Sequence, residues 1–465
     1  MDGTTQTRAP RPRRGDELDL TIDSLAHGGS GVARRDGFVV FVQGAVPGDR
    51  VRAAVTKAKR GYAEARVVEL TEPSPERIEP RAAHPGAPWQ VLPYERQLAE
   101  KESQVRDALE RLGGFEDPPV EPIVPAVEQW RYRNKLEYSF GPGADPPLRG
   151  AGGELVLGFH KPGRWNEIDD VTEDVLASER VDDVRERVKA WCRTEGLTAW
   201  DRRDGSGFLR NLVVREGTRT GLLQARIVTS AGELRADELA EVAGADSFLW
   251  TRTGGVSETT REGETKQVRG PLKIVEELDA LGARLRFEVS PEAFFQVNTA
   301  MAERLYGSAA ELAGLTGRER VFDLFSGIGT IALALATAAG EVWGVEVVER
   351  AVADAMRNAR LNAIDNVRFF AGDVRTSVRP LVEQAGQPDV VVVDPPRAGL
   401  SAKIVRRVLE TEPTRIVYVS CNPTTLAPNA RQMADAGYRL ATVRPVDMFP
   451  QTPHIECVAL LERAG

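Results

Sequence analysis

A chain of 465 residues, 42% hydrophobic and 28% charged, is longer than one core organises and reads as a soluble globular protein of roughly two to four domains. It holds no apolar run of about eighteen residues that could cross a membrane, and its opening MDGTTQTRAPRPRRGDE lacks the apolar segment of a secretion signal, so a cytoplasmic protein is expected. Cys192, Cys421 and Cys457 are its three cysteines, widely spaced, which argues against a disulfide framework and against a zinc site of CxxC pairs; the net charge of −8 does not advertise a nucleic-acid binder, although the arginines are unevenly placed.

Residues 1–15 form a Pro/Arg-rich tail with Arg8, Arg11, Arg13 and Arg14, too polar to bury a core and expected to be disordered. From 16 to 72 the pattern turns to short alternating strands, ELDLTID, GVARR, GFVVFVQG, DRVRAAVTK and YAEARVVEL, punctuated by Gly28-Gly29, Asp36-Gly37 and Pro47-Gly48. That order predicts five strands of a small closed, OB-like barrel. Lys57, Lys59, Arg60 and Arg66 would give it phosphate contacts on one side; the other reading is a spacer.

Residues 73–285 are expected to form a central α+β domain on the substrate side. A proline-rich connector, TEPSPERIEPR, opens it, and the apolar spacing from Pro93 to Leu112 predicts an amphipathic helix, ended by Gly113-Gly114, that can pack on the domain to follow. Short strand-like runs then alternate with loops and one helical stretch, Ser178 to Glu195. The aromatic and basic run WRYRNKLEYSF, followed by GFHKPGRWNEIDD, could stack bases and hold phosphates, or equally form an ordinary sheet with a wet face.

From 286 to 465 strands and helices alternate: VFDLFSGIGTIALALA, EVWGVEVVERAVADAMRNARLN, VRFFAGD, DVVVVDPP and RIVYVS imply an α/β fold with a doubly wound parallel sheet. DLFSGIGT is a strand end, a glycine turn and a helix start; it is neither GxGxxG nor a phosphate-binding loop with lysine. Glu346 ends the next strand, where a carboxylate can accept ribose hydroxyls, and Asp373 ends the third, within reach of an adenine edge. Three acidic strand ends in series, Asp323, Glu346 and Asp373, favour a nucleoside cofactor. Asp394 opens a loop stiffened by Pro395 and Pro396. Cys421 follows the strand Arg415 to Val419, at the end where open α/β sheets bind ligands, and Asn422-Pro423 favours a turn there. Glu456 begins an apolar strand after a proline-rich turn, a setting that raises a carboxyl pKa toward that of a general base.

FFQVN (Phe294 to Asn298), DLFSGIGT, DPPRAGL, YVSCNP and FPQTPHIE together resemble the motif set of the S-adenosylmethionine-dependent RNA uracil-C5 methyltransferase family over the last 180 or so residues. HGGSGVAR, FVVFVQGAVPGDRV and KRGYAEARVVE resemble a TRAM domain, an RNA-binding barrel. The resemblance implies a class I, Rossmann-like methyltransferase domain using S-adenosylmethionine on RNA, tRNA or 23S rRNA. By the same resemblance Cys421 is the nucleophile and Glu456 the base. Gln296, Phe325, Glu346 and Asp394 line the cofactor pocket, with Asp373 added. Many family members carry a four-cysteine iron–sulfur site, three of whose cysteines precede the helix at Pro93; here RIEPRAAHPGAPWQVLPYERQL has no cysteine, so no cluster is expected. A monomer is expected, without a membrane partner. RNA cytosine-C5 enzymes carry a second cysteine on the DPP-like loop, which Asp394-Pro395-Pro396-Arg397 lacks. Cytosine-C5 chemistry, or RNA binding without catalysis on the same fold, are the alternatives at this stage.

Overall fold

The computed structural model describes residues 11–35, 37–142, 154–161, 163–201, 203–255, 260 and 262–464. The first unit is built from β1 (Glu17–Thr21), β2 (Ser24–Leu25), β3 (Gly31–Arg35), β4 (Phe38–Gln43), β5 (Arg50–Ala58) and β6 (Tyr62–Glu72). β1 and β2 are one bent strand. Its first half pairs with β5 and its second with β3, which closes the sheet β1-β5-β6-β4-β3-β2 into a barrel. Every second residue points inward, so Leu18, Leu20, Val51, Ala53 and Val55 fill the interior with Val40, Val42, Ala63 and Ala65. Five strands were expected; β2 spans two residues, too few for an alternation to register. Residues 11–15, expected in a disordered tail, are fixed instead: Pro12 is buried and the Gly15 amide donates to Val55 O at 2.9 Å. Arg8 lies outside the described residues.

A connector leads to α1 (Tyr94–Arg111), whose Val105, Ala108 and Leu109 pack into the core of the C-terminal sheet. The central unit comprises β7 (Lys135–Pro142), β8 (Leu155–Lys161), β9 (Arg164–Asp170), α2 (Glu179–Thr194), β10 (Leu209–Glu216), β11 (Leu223–Thr229), α3 (Ala236–Ala243), β12 (Ser247–Arg252) and β13 (Glu264–Arg269). Its sheet runs β13-β12-β11-β10-β7-β8-β9, with α2 and α3 covering one face through Val181, Val184, Val188, Leu239 and Ala240. The aromatic residues that could have stacked bases are largely used up here. Tyr138 and Phe140 are core, and the Tyr138 hydroxyl donates to buried Asp174 at 2.8 Å. Tyr132 is buried as well, its hydroxyl donating to Pro450 O at 3.1 Å.

The hairpin β14 (Ile274–Ala280) and β15 (Ala283–Val289) packs Ile274, Leu278, Leu285 and Phe287 into the C-terminal core, so the division expected at 285/286 falls inside it. The last unit continues with α4 (Thr299–Ala313), β16 (Arg320–Leu324), α5 (Thr330–Ala336), β17 (Glu341–Glu346), α6 (Glu349–Leu361), β18 (Val367–Ala371), α7 (Val374–Ala385), β19 (Val390–Val393), α8 (Ala402–Leu409), β20 (Arg415–Ser420), α9 (Pro423–Asp435), β21 (Tyr438–Val446) and β22 (Glu456–Arg463). The sheet order is β18-β17-β16-β19-β20-β22-β21. Both faces are buried, which explains the near-continuous apolar strands: Val390, Val392, Val417 and Val419 join one core, and Val391, Val393, Ile416 and Tyr418 the other. The expected parallel sheet holds for five strands only. β22 runs antiparallel to both β20 and β21, because β21 and β22 form a hairpin with no helix between them. No helix among the described residues is long and apolar enough to cross a membrane.

Candidate active site

Register places the site residues. Leu324 is level with Val345 across β16/β17 and with Val393 across β16/β19, so the residues one step on, Phe325, Glu346 and Asp394, stand in a row at the carboxyl ends of three adjacent strands. The chain order reverses between β16 and β19, the switch point at which doubly wound sheets open a crevice. β20 and β22 pair as far as Ser420 opposite Cys457. Cys421 follows directly on Ser420 and Glu456 directly precedes Cys457, so the two stand at the same end of adjoining strands.

The glycine turn between β16 and α5 is held under tension. Phe325 sits at φ 85°, a left-handed conformation rare for an aromatic residue, and its amide and that of Ser326 both donate to Val345 O at 2.9 and 3.0 Å. Gly329 is also left-handed, at φ 87°, and a Cβ there would come within 2.9 Å of the Phe369 ring. Glu346 is fixed by two amides: Gly327 donates to Oε2 at 3.0 Å and Val348 to Oε1 at 2.9 Å. Each oxygen keeps a lone pair for a further donor.

Below this turn, Asp323 is fully buried, and neither of its oxygens, nor the Ser326 hydroxyl, has a hydrogen-bond partner among the described residues. Burial, with Asp394 nearby, pushes the Asp323 carboxyl up to about 8. Buried, unpaired acceptors of this kind suit a ligand that brings a cation and hydroxyl donors. They also carry a stability consequence. A folded pKa above the free value of about 3.9 means that Asp323 contributes most below about pH 4 and loses that contribution as pH rises toward about 8. Asp323→Asn is therefore expected to raise the melting temperature of the ligand-free protein by roughly 2–4 °C at about pH 8 and by roughly a third as much at about pH 5. Thermal scans at the two pH values check this; an equal shift at both would show that the carboxylate charge is not the cause.

Cys421 is the single residue between the end of β20 and Asn422, the cap of α9, whose side chain accepts from the Thr424 amide at 3.0 Å and donates to Arg397 O at 3.1 Å. The turn anticipated at Asn422-Pro423 is thus the first turn of a helix. The thiol is half-buried and pushed up to about 11, by burial first and then by Glu456 and Asp394, against the pull of Arg397. Helix N-termini ordinarily lower a thiol pKa; here burial and two acids oppose that. Glu456, buried, is raised well above the usual carboxylate range by burial and by Asp394. Asp394 itself rises to about 7 through desolvation.

Gln296 is buried, and the central sheet holds its backbone: Asn134 Nδ2 donates to Gln296 O at 2.9 Å and the Asn134 amide to Val297 O at 2.7 Å. Asp373 stands apart from this cluster. It caps α7, accepting from the Arg375 amide at 2.8 Å, and its pairing with the Arg375 guanidinium draws its pKa down to about 2. The sequence reading missed Tyr306, fully buried on α4 among Asp394, Glu456 and Asp323, with its hydroxyl 3.3 Å from Thr330 Oγ1. Its apolar helical spacing gave no sign of that placement. Among the described residues no group of three His, Cys, Asp or Glu could hold a metal ion, and Cys192 is buried in the central core, its thiol pushed up to about 12.

Residues 255–464 match the family described as tRNA (Uracil-5-)-methyltransferase, and residues 11–68 match the TRAM domain. The chain is 39% identical over 461 residues to an uncharacterized RNA methyltransferase of Halalkalibacterium halodurans, covering 97% of each chain. A similar protein of Gloeobacter violaceus is 38% identical over 465 residues, again covering 97% of each. Among solved structures, the Pyrococcus abyssi tRNA (uracil-54, C5)-methyltransferase in complex with S-adenosyl-L-homocysteine superposes with a TM-score of 0.77 at 29% identity, covering 96% of this chain and 100% of that one. The fold and strand-end site are those of an S-adenosylmethionine-dependent methyltransferase. More narrowly, the chain belongs to the RNA uracil-C5 methyltransferase family and carries its TRAM domain.

Proposed function

We propose that this enzyme methylates C5 of a uridine in structured RNA through a covalent bond between Cys421 and C6 of the base. The observation that carries the reading is Cys421 at the end of β20 and Glu456 at the start of the adjoining β22, each near enough to Asp394 to feel its charge. Uracil C5 is too weak a nucleophile to take a methyl group unaided. Addition of the Cys421 sulfur at C6 turns C5 into an enolate-like carbon. When bound, S-adenosylmethionine supplies an electrophilic methyl group. Glu456 then removes the C5 proton, and the electron pair left behind expels the Cys421 sulfur from C6. A buried carboxyl with a raised pKa is a stronger base than a solvated one, as that step needs. Because Cys421 is half-buried at the end of β20, the target base must leave its stack to reach it.

Glu346, with free lone pairs on a fixed carboxylate, is suited to the ribose hydroxyls, and Asp323 and Asp394 to the sulfonium charge. Gln296 and Phe325 complete the walls, and Asp373, apart from them at the cap of α7, is the candidate for the adenine edge. A tRNA is the substrate favoured by the family description and by the Pyrococcus abyssi enzyme. Incubation with cofactor labelled in its methyl group and bulk tRNA or rRNA, followed by nucleoside analysis, tests the reading: label in 5-methyluridine from tRNA is expected. Label in 5-methylcytidine, or none in either RNA, would overturn it.

In the barrel, Lys57 is already paired with Glu64 at 2.9 Å, while Lys59, Arg60 and Arg66 are exposed. Replacing those three by glutamine is expected to lower the slope of log K for RNA against log salt by roughly 2–3, with cofactor affinity unchanged. Binding isotherms at several salt concentrations measure this. An unaltered slope would make the hairpin a bystander and favour the spacer reading.

A further inference from the structure

The loop 447–455 runs from the end of β21 to Glu456, the first residue of β22, and it is strained at Gln451, whose φ is 67°. Its shape is imposed largely from outside. On α1, Gln97 Nε2 donates to Gln451 Oε1 at 2.8 Å and Gln97 Oε1 accepts from the Gln451 amide at 2.9 Å. One turn on, Lys101 Nζ donates to Asp447 Oδ1 at 2.6 Å and to Phe449 O at 3.0 Å. The Tyr94 hydroxyl donates to Asp447 Oδ2 at 2.7 Å, and Asn298 Nδ2 to Met448 O at 3.0 Å. The barrel joins in: a Cβ on Gly29 would lie 2.8 Å from the Pro453 ring.

Lys101 and Asp447 are both completely buried at their side chains. An ion pair taken wholly out of water is a poor source of stability, since two apolar residues of the same volume often do as well or better. What the pair does supply is direction. A single ammonium fixes the carboxylate of Asp447 and the carbonyl of Phe449 at once, at the start of the segment that presents Glu456.

We propose that Lys101 is a positioning residue for the methyl-transfer reaction: from α1 it sets the loop that aims the Glu456 carboxylate at C5. The proposal rests on the reading of Glu456 as the base. It places the effect of Lys101 at proton removal, after methyl transfer. Lys101→Met alone strands a buried carboxylate and can fail to fold, so the decisive protein is the double variant Lys101→Met/Asp447→Asn, which removes both charges and keeps an acceptor for Tyr94.

With ordinary uracil-containing RNA, this variant is expected to transfer its first methyl group at close to the wild-type rate. Its kcat should fall by about 10- to 100-fold, the cost of misplacing a catalytic group by a fraction of an ångström to one ångström, with kcat/KM for RNA unchanged, because slowing only the step after adduct formation lowers KM in proportion. A methylated protein–RNA adduct should stand on a denaturing gel. A wild-type kcat, or a first methyl transfer slowed in the same proportion as kcat, overturns the proposal. Glu456→Gln run alongside separates the two readings. If it shows no standing adduct, the assignment of the base fails; an adduct there but none in the double variant defeats Lys101 alone.

Discussion

Cys421→Ala is expected to abolish methyl transfer, by roughly 10⁴-fold or more, while binding the cofactor as the wild type does. No other thiol can stand in. Cys457 is fully buried on the neighbouring strand, and Cys192 is buried in the central core. RNA containing 5-fluorouracil supplies the complementary result. With fluorine at C5 there is no proton for Glu456 to take, so the wild-type enzyme should be caught as a methylated covalent adduct and the alanine variant should not. Since the thiolate is the attacking form and the Cys421 thiol is held up at about 11, adduct formation is also expected to quicken as pH rises through the neutral range. Gel analysis of labelled RNA checks both; an adduct of equal yield with Cys421→Ala would remove the nucleophile assignment.

Much of this site was legible because its parts are local. A strand ending in an acid, a glycine turn and a helix is written in consecutive residues, and DLFSGIGT, Glu346 and Asp394 each fall at a strand end for that reason. The adjacency of Cys421 and Glu456 is of another kind. It depends on β22 inserting between β20 and β21, a pairing of segments far apart in the chain that no periodicity reports. The same limit hid the antiparallel direction of β22, the burial of Tyr306 among three acids and the reach of Lys101 to Asp447. Aromatic residues misled in the opposite sense. In WRYRNKLEYSF the text alone cannot say which rings face the core, and Tyr132, Tyr138 and Phe140 do.

The acids at the crevice illustrate how environment divides similar groups between roles. Asp373, at the surface beside Arg375, is held down to about 2 and stays ionised at any working pH. Asp323, fully buried, and Asp394, half-buried, are both raised by desolvation, to about 8 and about 7. Glu456 rises by the same cause, and Asp394 adds to it. Ionising one of these three makes the others harder to ionise. A bound sulfonium cation would favour the ionised forms, so cofactor binding and the readiness of Glu456 to accept a proton are expected to rise together.

Glu456→Gln is expected to stop the reaction after methyl transfer and before release. Attack at C6 and transfer to C5 both precede loss of the C5 proton, so neither requires the base. Glutamine keeps the shape and a hydrogen-bonding group of the buried side chain but cannot take a proton. The variant should therefore move one methyl group per molecule onto ordinary uracil and then stall, still joined to RNA through Cys421. On a denaturing gel it should run as a protein–RNA species carrying the methyl label, where the wild type shows little. Turnover should fall by about 10²- to 10⁴-fold, the range for loss of a general base, with the first methyl transfer nearly unaffected. Small external bases should speed the release if the crevice admits them. Turnover close to the wild-type rate would instead assign the proton to another group, and Asp394, half-buried and held near neutrality, would be the next to replace.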